Sequence, residues 1–192
     1  IDGIYQAFDV QAALAIKAIE QKTNHDVKAV EYYIKEQLIA AGLAHLKEWV
    51  HFACTSDDIN NTSYALMIQS GRKQVLARAL GVLDKIEELA RKYKSMPMMA
   101  RTHGQPATPT TVGKEMINFA WRLRHECKHL GDLPIQAKLN GASGNYNAHH
   151  FVFPEIDWIG ATTRFMEQYL EISPVLYTTQ VNPNNYLAAI LH

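Results

Sequence analysis

The 192-residue sequence lacks the features that mark several large classes of protein. Its two cysteines, Cys54 and Cys127, fit neither a disulfide framework nor a paired CxxC site, so a reducing, cytoplasmic compartment is expected. No apolar run approaches the roughly 20 residues of a membrane-spanning helix, and no signal peptide is visible. A membrane is therefore not expected among the partners.

An excess of charge of one sign is also missing. Lys and Arg number 19, Asp and Glu number 19, and the formal net charge is zero. Nucleic acids and anionic membranes attract an excess of positive charge, so neither is expected as the main partner. The sequence has no phosphate-loop motif and no GxSxG motif. His125 and His129 have the spacing of two zinc ligands on a helix, but no third ligand follows, and we expect no metal site.

What the sequence does have is helical periodicity. Apolar residues recur at steps of three and four in the segments 27–41, 112–130 and, most extensively, 56–94. Ser56 is the predicted N-cap of this last segment, and Pro97 is expected to end it. About 38 residues at roughly 1.5 Å per residue give a rod of roughly 57 Å, a length typical of helices packed side by side in a bundle.

Prolines and glycines suggest where the other helices begin and end. Pro109 suits the first turn of a helix that Gly131 would terminate, and Pro154 suits the start of another with Ile159, Met166 and Leu170 facing inward. No strand alternation is convincing. The predicted fold class is therefore all-α, with long antiparallel helices in a bundle.

Five polar segments interrupt the helical pattern, and each combines hydroxyls, amides or imidazoles with a predicted helix end. Ordinary caps and turns account for most of them. The segment RTHGQPATP is different, because Arg101, Thr102, His103 and Gln105 offer more hydrogen-bonding capacity than a turn requires. In chain order, the five segments are TNHD (23–26), CTSDDINN (54–61), RTHGQPATP (101–109), KLNGASGNYNAH (138–149) and YTTQVNPNN (177–185).

Together and in this order, these segments resemble the bacterial adenylosuccinate lyases, a family within the fumarase/aspartase superfamily. The resemblance extends from about Thr23 to Tyr186. It implies the superfamily's helical-bundle fold and a β-elimination that releases fumarate from adenylosuccinate and from the related succinyl-aminoimidazole carboxamide ribotide (SAICAR). It implies no metal or organic cofactor.

The resemblance also implies roles for individual residues. His103 matches the general acid that protonates the departing nitrogen, and imidazole can hold and deliver a proton at neutral pH. Thr102 and Gln105 would fix the ring and donate to a substrate carboxylate. Thr55 and Ser56 match carboxylate-binding hydroxyls at a predicted helix N-terminus, where free backbone N–H groups favour anions. The remaining substrate-binding residues that the resemblance implies are Asn24, His25, Asp26, Lys138, Asn140 and Gln180.

Two departures from the family pattern stand out. No stretch resembles the superfamily loop GSSxMPxKxNP, whose serine is the general base, and the family's N-terminal Arg-Tyr pair is missing. We therefore expect residues 1–192 to be an incomplete, central helical-bundle domain that lacks activity alone. The family assembles as a homotetramer with active sites shared between subunits. Two alternatives stay open: another lyase of the superfamily, such as argininosuccinate lyase, and a non-catalytic helical oligomerisation module.

Overall fold

The computed structural model describes residues 2–192, and helices dominate that range. The helices, in chain order, are α1 (Asp2–Gln6), α2 (Val10–Thr23), α3 (Asp26–Ala40), α4 (Ser56–Lys92), α5 (Val112–Asp132), α6 (Asn147–Val152), α7 (Trp158–Phe165) and α8 (Asn185–Leu191). A 3-10 turn occupies Ala44–Trp49 and a π turn occupies Met166–Leu170. None of the helices in the described range is long and apolar enough to cross a membrane.

The chain divides into two compact units. The first contains the residues up to Leu66 together with Gln136–Asn184, and the second contains Met67–Ile135 and Asn185–His192. That residues 1–192 form one bundle domain of a longer chain stays a prediction.

The first unit holds α1 to α3, the first turns of α4, and the segments that follow Gln136. Its α2 and α3 begin at side-chain caps, since Asp9 accepts from the backbone N–H of Ala12 at 2.8 Å and His25 accepts from that of Lys28 at 3.2 Å. A short parallel pair, β3 (Gln136–Ala137) with β4 (Ser173–Pro174), joins two of its loops.

The second unit holds most of α4, then α5 and a β-hairpin. The prediction of one long helix is confirmed, because α4 spans 37 residues from Ser56 to Lys92. Buried Leu83 and Ala90 of α4, with Ala120 and Cys127 of α5, form part of the core of this unit.

The sequence shows no convincing strand alternation, yet the segment 97–111 contains the two longest strands of the described range. It forms an antiparallel hairpin, β1 (Pro97–Thr102) with β2 (Gln105–Thr111), closed by Thr102 opposite Gln105. The two turn residues, His103 and Gly104, have φ values of 51° and 76°, the positive values that a type I′ turn requires. Both faces of the hairpin are largely exposed, so its sequence has no apolar alternation.

The predicted helix boundaries around this hairpin were wrong. Pro109 lies in β2 rather than in a first helical turn, and a strand of a two-stranded hairpin tolerates proline because its outer edge needs no N–H donor. Helix α5 begins at Val112, where the Thr111 hydroxyl caps it by accepting from the N–H of Lys114 at 3.1 Å. It continues through Gly131 to Asp132.

The start of α7 differs from the prediction as well. Asp157, not Pro154, begins this helix by accepting from the N–H of Gly160 at 3.0 Å. Met166 is buried as predicted, but Ile159 is 51% exposed. A single apolar residue placed by spacing alone was therefore assigned to the wrong face.

Gly113 marks a close backbone approach in the second unit. A Cβ at this position would collide with the carbonyl oxygen of Ala90 and would lie 2.5 Å from the Cα of Lys94. We expect Gly113→Ala to reduce the free energy of unfolding by about 1–3 kcal/mol, because backbone atoms must move to admit the methyl group. Urea denaturation checks this, with Gly71→Ala as the matched control, since nothing lies within 4 Å of a Cβ added there. Equal stability of the two variants would contradict the prediction.

Candidate functional site

A buried ion pair forms the centre of the first unit. The side chain of Asp58, in the first turn of α4, lies 2.9 Å from Nζ of Lys138, and the two residues are 1% and 0% exposed. The Asp58 carboxylate also accepts from the backbone N–H groups of Thr55, Asn140 and Gly141 at 2.9, 3.2 and 3.1 Å. One carboxylate thus holds the start of α4 against the segment 138–141.

Lys138 extends this network to a third segment. Its ammonium group donates to the carbonyl oxygens of Gly141 and Gln180 at 2.9 and 2.8 Å. Asn61, one turn beyond Asp58, donates to the Lys138 carbonyl at 3.0 Å and accepts from its N–H at 2.8 Å. All three ammonium protons of Lys138 therefore have protein acceptors.

Asn140 is buried as deeply as Lys138. Its side-chain amide donates to the hydroxyl of Thr178 at 2.9 Å, and the backbone N–H of Asn182 donates to Asp57 at 2.8 Å. The polar segments 54–61, 138–149 and 177–185 consequently meet in one network. The predicted substrate contacts of Lys138 and Asn140 stay predictions, and their observed contacts are all within the protein.

Gly144 brings two of these segments closer than a side chain would permit. It has a φ of +75°, and a Cβ there would collide with the carbonyl oxygen of Thr178 and lie 2.8 Å from its carbonyl carbon. An open cleft of about 500 Å³ lies beside this contact. It is lined by Gly144, Asn145, Leu176, Tyr177, Thr178, Thr179, Val181 and Pro183.

The segment 23–26 meets the start of α4 at a more accessible position. Nε2 of His25 lies 3.2 Å from the Ser56 hydroxyl, and Asn60 donates to Asp26 at 3.1 Å. The backbone N–H of Val27 and the Asn60 amide lower the pKa of Asp26. Asn24 is exposed in the left-handed conformation as the C-cap of α2.

Ser56 does not have the predicted role of N-cap. It is the first residue of α4. The preceding residue, Thr55, donates its backbone N–H to the carboxylate of Asp58, three residues later. This is one half of a capping box. The Ser56 hydroxyl is therefore directed to His25 rather than to its own helix.

The second unit holds the remaining predicted residues, Thr102, His103 and Gln105. All three are exposed on the hairpin, with His103 at the tip and the other two forming the closing strand pair. The two-residue turn thus presents the imidazole to solvent.

Asp58 and Asn61 are the site residues that the sequence interpretation missed. The aspartate was assigned to the helix dipole and the asparagine received no role. One signal in the sequence indicates an acidic partner for Lys138. This lysine lies beside apolar residues in the sequence, and a buried ammonium group requires an acidic partner.

The segment 125–129 reads HECKH and matches the zinc-binding HExxH pattern completely, which the sequence interpretation overlooked. Both imidazoles are exposed on α5. Within residues 2–192, no three His, Cys, Asp or Glu side chains cluster in a way that suits a metal ion.

His149 lies in an aromatic cluster beside the buried ion pair. Its ring centroid is 4.9 Å from that of Trp158 and 5.3 Å from that of Tyr146. Among the described residues, no hydrogen-bond partner reaches its buried Nδ1. Burial lowers the pKa of His149 below its ordinary value of 6.5, while Asp58 raises it and His150 lowers it further. Burial therefore favours the neutral form of the ring in the folded chain.

This burial predicts a specific pH dependence. Below about pH 6.5, the ordinary pKa of histidine, the unfolded chain takes up a proton on His149 more readily than the folded chain does. The free energy of unfolding is therefore highest above about pH 6.5 and falls as the pH is lowered towards the pKa of folded His149. We expect the urea midpoint of the wild-type chain to fall between pH 7.5 and 5.5 more than that of His149→Phe. His150→Gln, at the exposed neighbouring position, should keep most of the wild-type dependence, because it removes only the smallest contribution to the lowered pKa and leaves the burial of His149 intact. Parallel curves for wild type and His149→Phe would contradict the prediction.

Comparison with known proteins agrees with this geometry. A family model described as "Lyase" matches residues 1–168. The chain belongs to this lyase family. It is 46% identical over 192 residues to the adenylosuccinate lyase of Vibrio cholerae and 48% identical over 189 residues to that of Haemophilus influenzae. The resemblance seen in the five polar segments is thereby confirmed.

The relatives are considerably longer than the chain. The matches cover 99% and 97% of this chain but 42% and 41% of the two relatives. A fumarate lyase from Mesorhizobium sp. BNC1 has the same fold, with a TM-score of 0.71 at 19% identity over 95% of this chain and 41% of that one. The helical-bundle fold class is thus confirmed.

Proposed function

We propose that the chain is part of an adenylosuccinate lyase, a cytoplasmic enzyme that eliminates fumarate from adenylosuccinate and from SAICAR. The observation that carries the proposal is the 46% identity to adenylosuccinate lyases over 99% of the chain. The buried network supports it, because Asp58 and Lys138 hold together three of the five segments that carry the resemblance.

The proposed reaction gives each accessible group one task. His103 protonates the departing nitrogen, and Thr55 and Ser56 bind a succinyl carboxylate at the N-terminus of α4. The remaining members of the proposed substrate-binding site are Asn24, His25, Asp26, Thr102, Gln105, Lys138, Asn140 and Gln180. The base that removes the proton beside the carboxylate is proposed to lie outside residues 1–192, and this chain alone is then inactive.

The activity is tested with the full-length protein that contains these residues. It should release fumarate from adenylosuccinate and SAICAR but not from argininosuccinate. Fumarate from argininosuccinate alone would assign the chain to another lyase of the superfamily. Fumarate from none of the three would favour a non-catalytic oligomerisation module.

We also propose a homotetramer with shared active sites. Val75, Val82 and Leu89 of the α4 stripe are 58%, 54% and 42% exposed in the single chain, an unusual density of apolar side chains for a solvated helix face. Light scattering of the full-length protein should give four times the mass of one chain. A monomeric mass would contradict this proposal.

A further inference from the structure

Both ring nitrogens of His25 have partners in the first unit. Nδ1 accepts the backbone N–H of Lys28 at 3.2 Å and so caps α3. Nε2 lies 3.2 Å from the hydroxyl oxygen of Ser56. The imidazole thereby connects the start of α3 to the start of α4.

The cap determines where the proton of the ring resides. A backbone N–H can only donate, so Nδ1 must present its lone pair to Lys28. A neutral imidazole then carries its proton on Nε2. That N–H donates to the Ser56 oxygen, and the serine's own O–H remains available to donate to another acceptor.

Asp26 is the charged group nearest the ring, with a carboxylate oxygen 3.4 Å from Nδ1. A proton on Nδ1 would be drawn to this carboxylate, and the Lys28 N–H would lose its acceptor. Asn60 donates to the other oxygen of Asp26 at 3.1 Å and holds the carboxylate in place. The cap of α3 by Nδ1 therefore requires the form of the neutral ring that carries its proton on Nε2.

We infer that His25 is a positioning residue that orients the Ser56 hydroxyl as a donor to a carboxylate of the ligand. The inference rests on the proposed function, which supplies the carboxylate. His25 itself acts through Ser56 rather than through the substrate.

Two substitutions separate the roles of the two nitrogens. His25→Asn keeps a strong N-cap but is too short to reach Ser56. His25→Gln can place an amide N–H where Nε2 lies but is a weak cap. In the full-length enzyme, His25→Asn and Ser56→Ala should each raise KM for adenylosuccinate about tenfold with little change in kcat. Ser56→Ala removes a hydrogen bond to the charged carboxylate, and His25→Asn leaves the Ser56 hydroxyl without the partner that orients it. His25→Gln should recover most of the loss.

The double variant His25→Asn/Ser56→Ala tests whether the two residues act as one unit. The inference predicts a KM close to that of Ser56→Ala alone. Losses that multiply to about a hundredfold would mean that His25 binds the substrate independently, and this would overturn the inference. The inference would also be overturned if His25→Asn kept the wild-type KM while His25→Gln raised it. Only the helix cap, and not the bond to Ser56, would then affect substrate binding.

The ring itself can be examined without any activity. ¹⁵N NMR of the histidine side chains in the full-length protein, assigned by loss of the signal in His25→Asn, should show a protonated Nε2 and an unprotonated Nδ1. A proton on Nδ1 would overturn the inference while leaving the lyase activity standing. Absence of adenylosuccinate turnover by the wild-type enzyme would instead overturn the proposed function, and with it the carboxylate ligand.

Discussion

Replacing Lys138 with methionine is expected to lower the free energy of unfolding of the first unit by about 3–5 kcal/mol. The substitution leaves the Asp58 carboxylate buried with one charge partner fewer, at a position only 1% exposed. It also leaves the carbonyl oxygens of Gly141 and Gln180 without their donor. Methionine has nearly the volume of lysine, so lost packing contributes little.

Tryptophan fluorescence can report this unit separately. Trp49 and Trp158 lie in the first unit and Trp121 lies in the second, so urea denaturation in a Trp121→Phe background follows the first unit alone. Lys17→Met is the matched control, because Lys17 pairs with Glu20 at the surface of the same unit. It should change stability by less than about 1 kcal/mol. If Lys138→Met also lowered the free energy of unfolding by less than about 1 kcal/mol, the result would contradict the structural role of the ion pair.

His103→Asn is expected to reduce kcat of the full-length enzyme by about 10²–10⁴-fold while the hairpin persists. Asparagine followed by glycine is the preferred pair for a type I′ turn, so the positive φ of 51° is retained without strain. Alanine at this position would confound loss of the imidazole with strain in the turn. The asparagine variant removes only the proton donor.

Steady-state kinetics with adenylosuccinate measure this effect, and circular dichroism with light scattering checks that fold and assembly are unchanged. His125→Asn is the control, since it removes another exposed imidazole from the same unit. Near-normal turnover by His103→Asn would eliminate its assignment as the general acid.

The helices could be predicted from sequence to the extent that their apolar residues recur with a helical period. Helix α4 was located within two residues because its apolar stripe repeats over 37 residues. The hairpin could not be found in this way, since neither of its faces is buried and no alternation results. The pair His103-Gly104 gave no clear turn signal either, because Asn-Gly, Asp-Gly and Gly-Gly are the pairs typical of a type I′ turn.

The candidate site, like the fold, could be predicted from sequence only in part. Short polar motifs led to the prediction of Thr55, Ser56 and His103 as site residues, and their hydroxyls and imidazole are accessible in the structure. The partners of Lys138 were not predictable, because Asp58 and Asn61 lie 80 and 77 residues away in sequence and meet it only after folding. A motif gives residue types, while the contacts among distant segments, such as that of Lys138 with Asp58, are decided by the fold.

The reaction itself is tested most directly by identifying its products. Full-length protein and adenylosuccinate, followed by proton NMR, should yield AMP and fumarate in equal amounts, because elimination breaks the bond between the succinyl carbon and nitrogen. IMP with aspartate would mean that the bond between that nitrogen and the purine is hydrolysed instead. Either that pair of products or unchanged adenylosuccinate would contradict the proposed lyase.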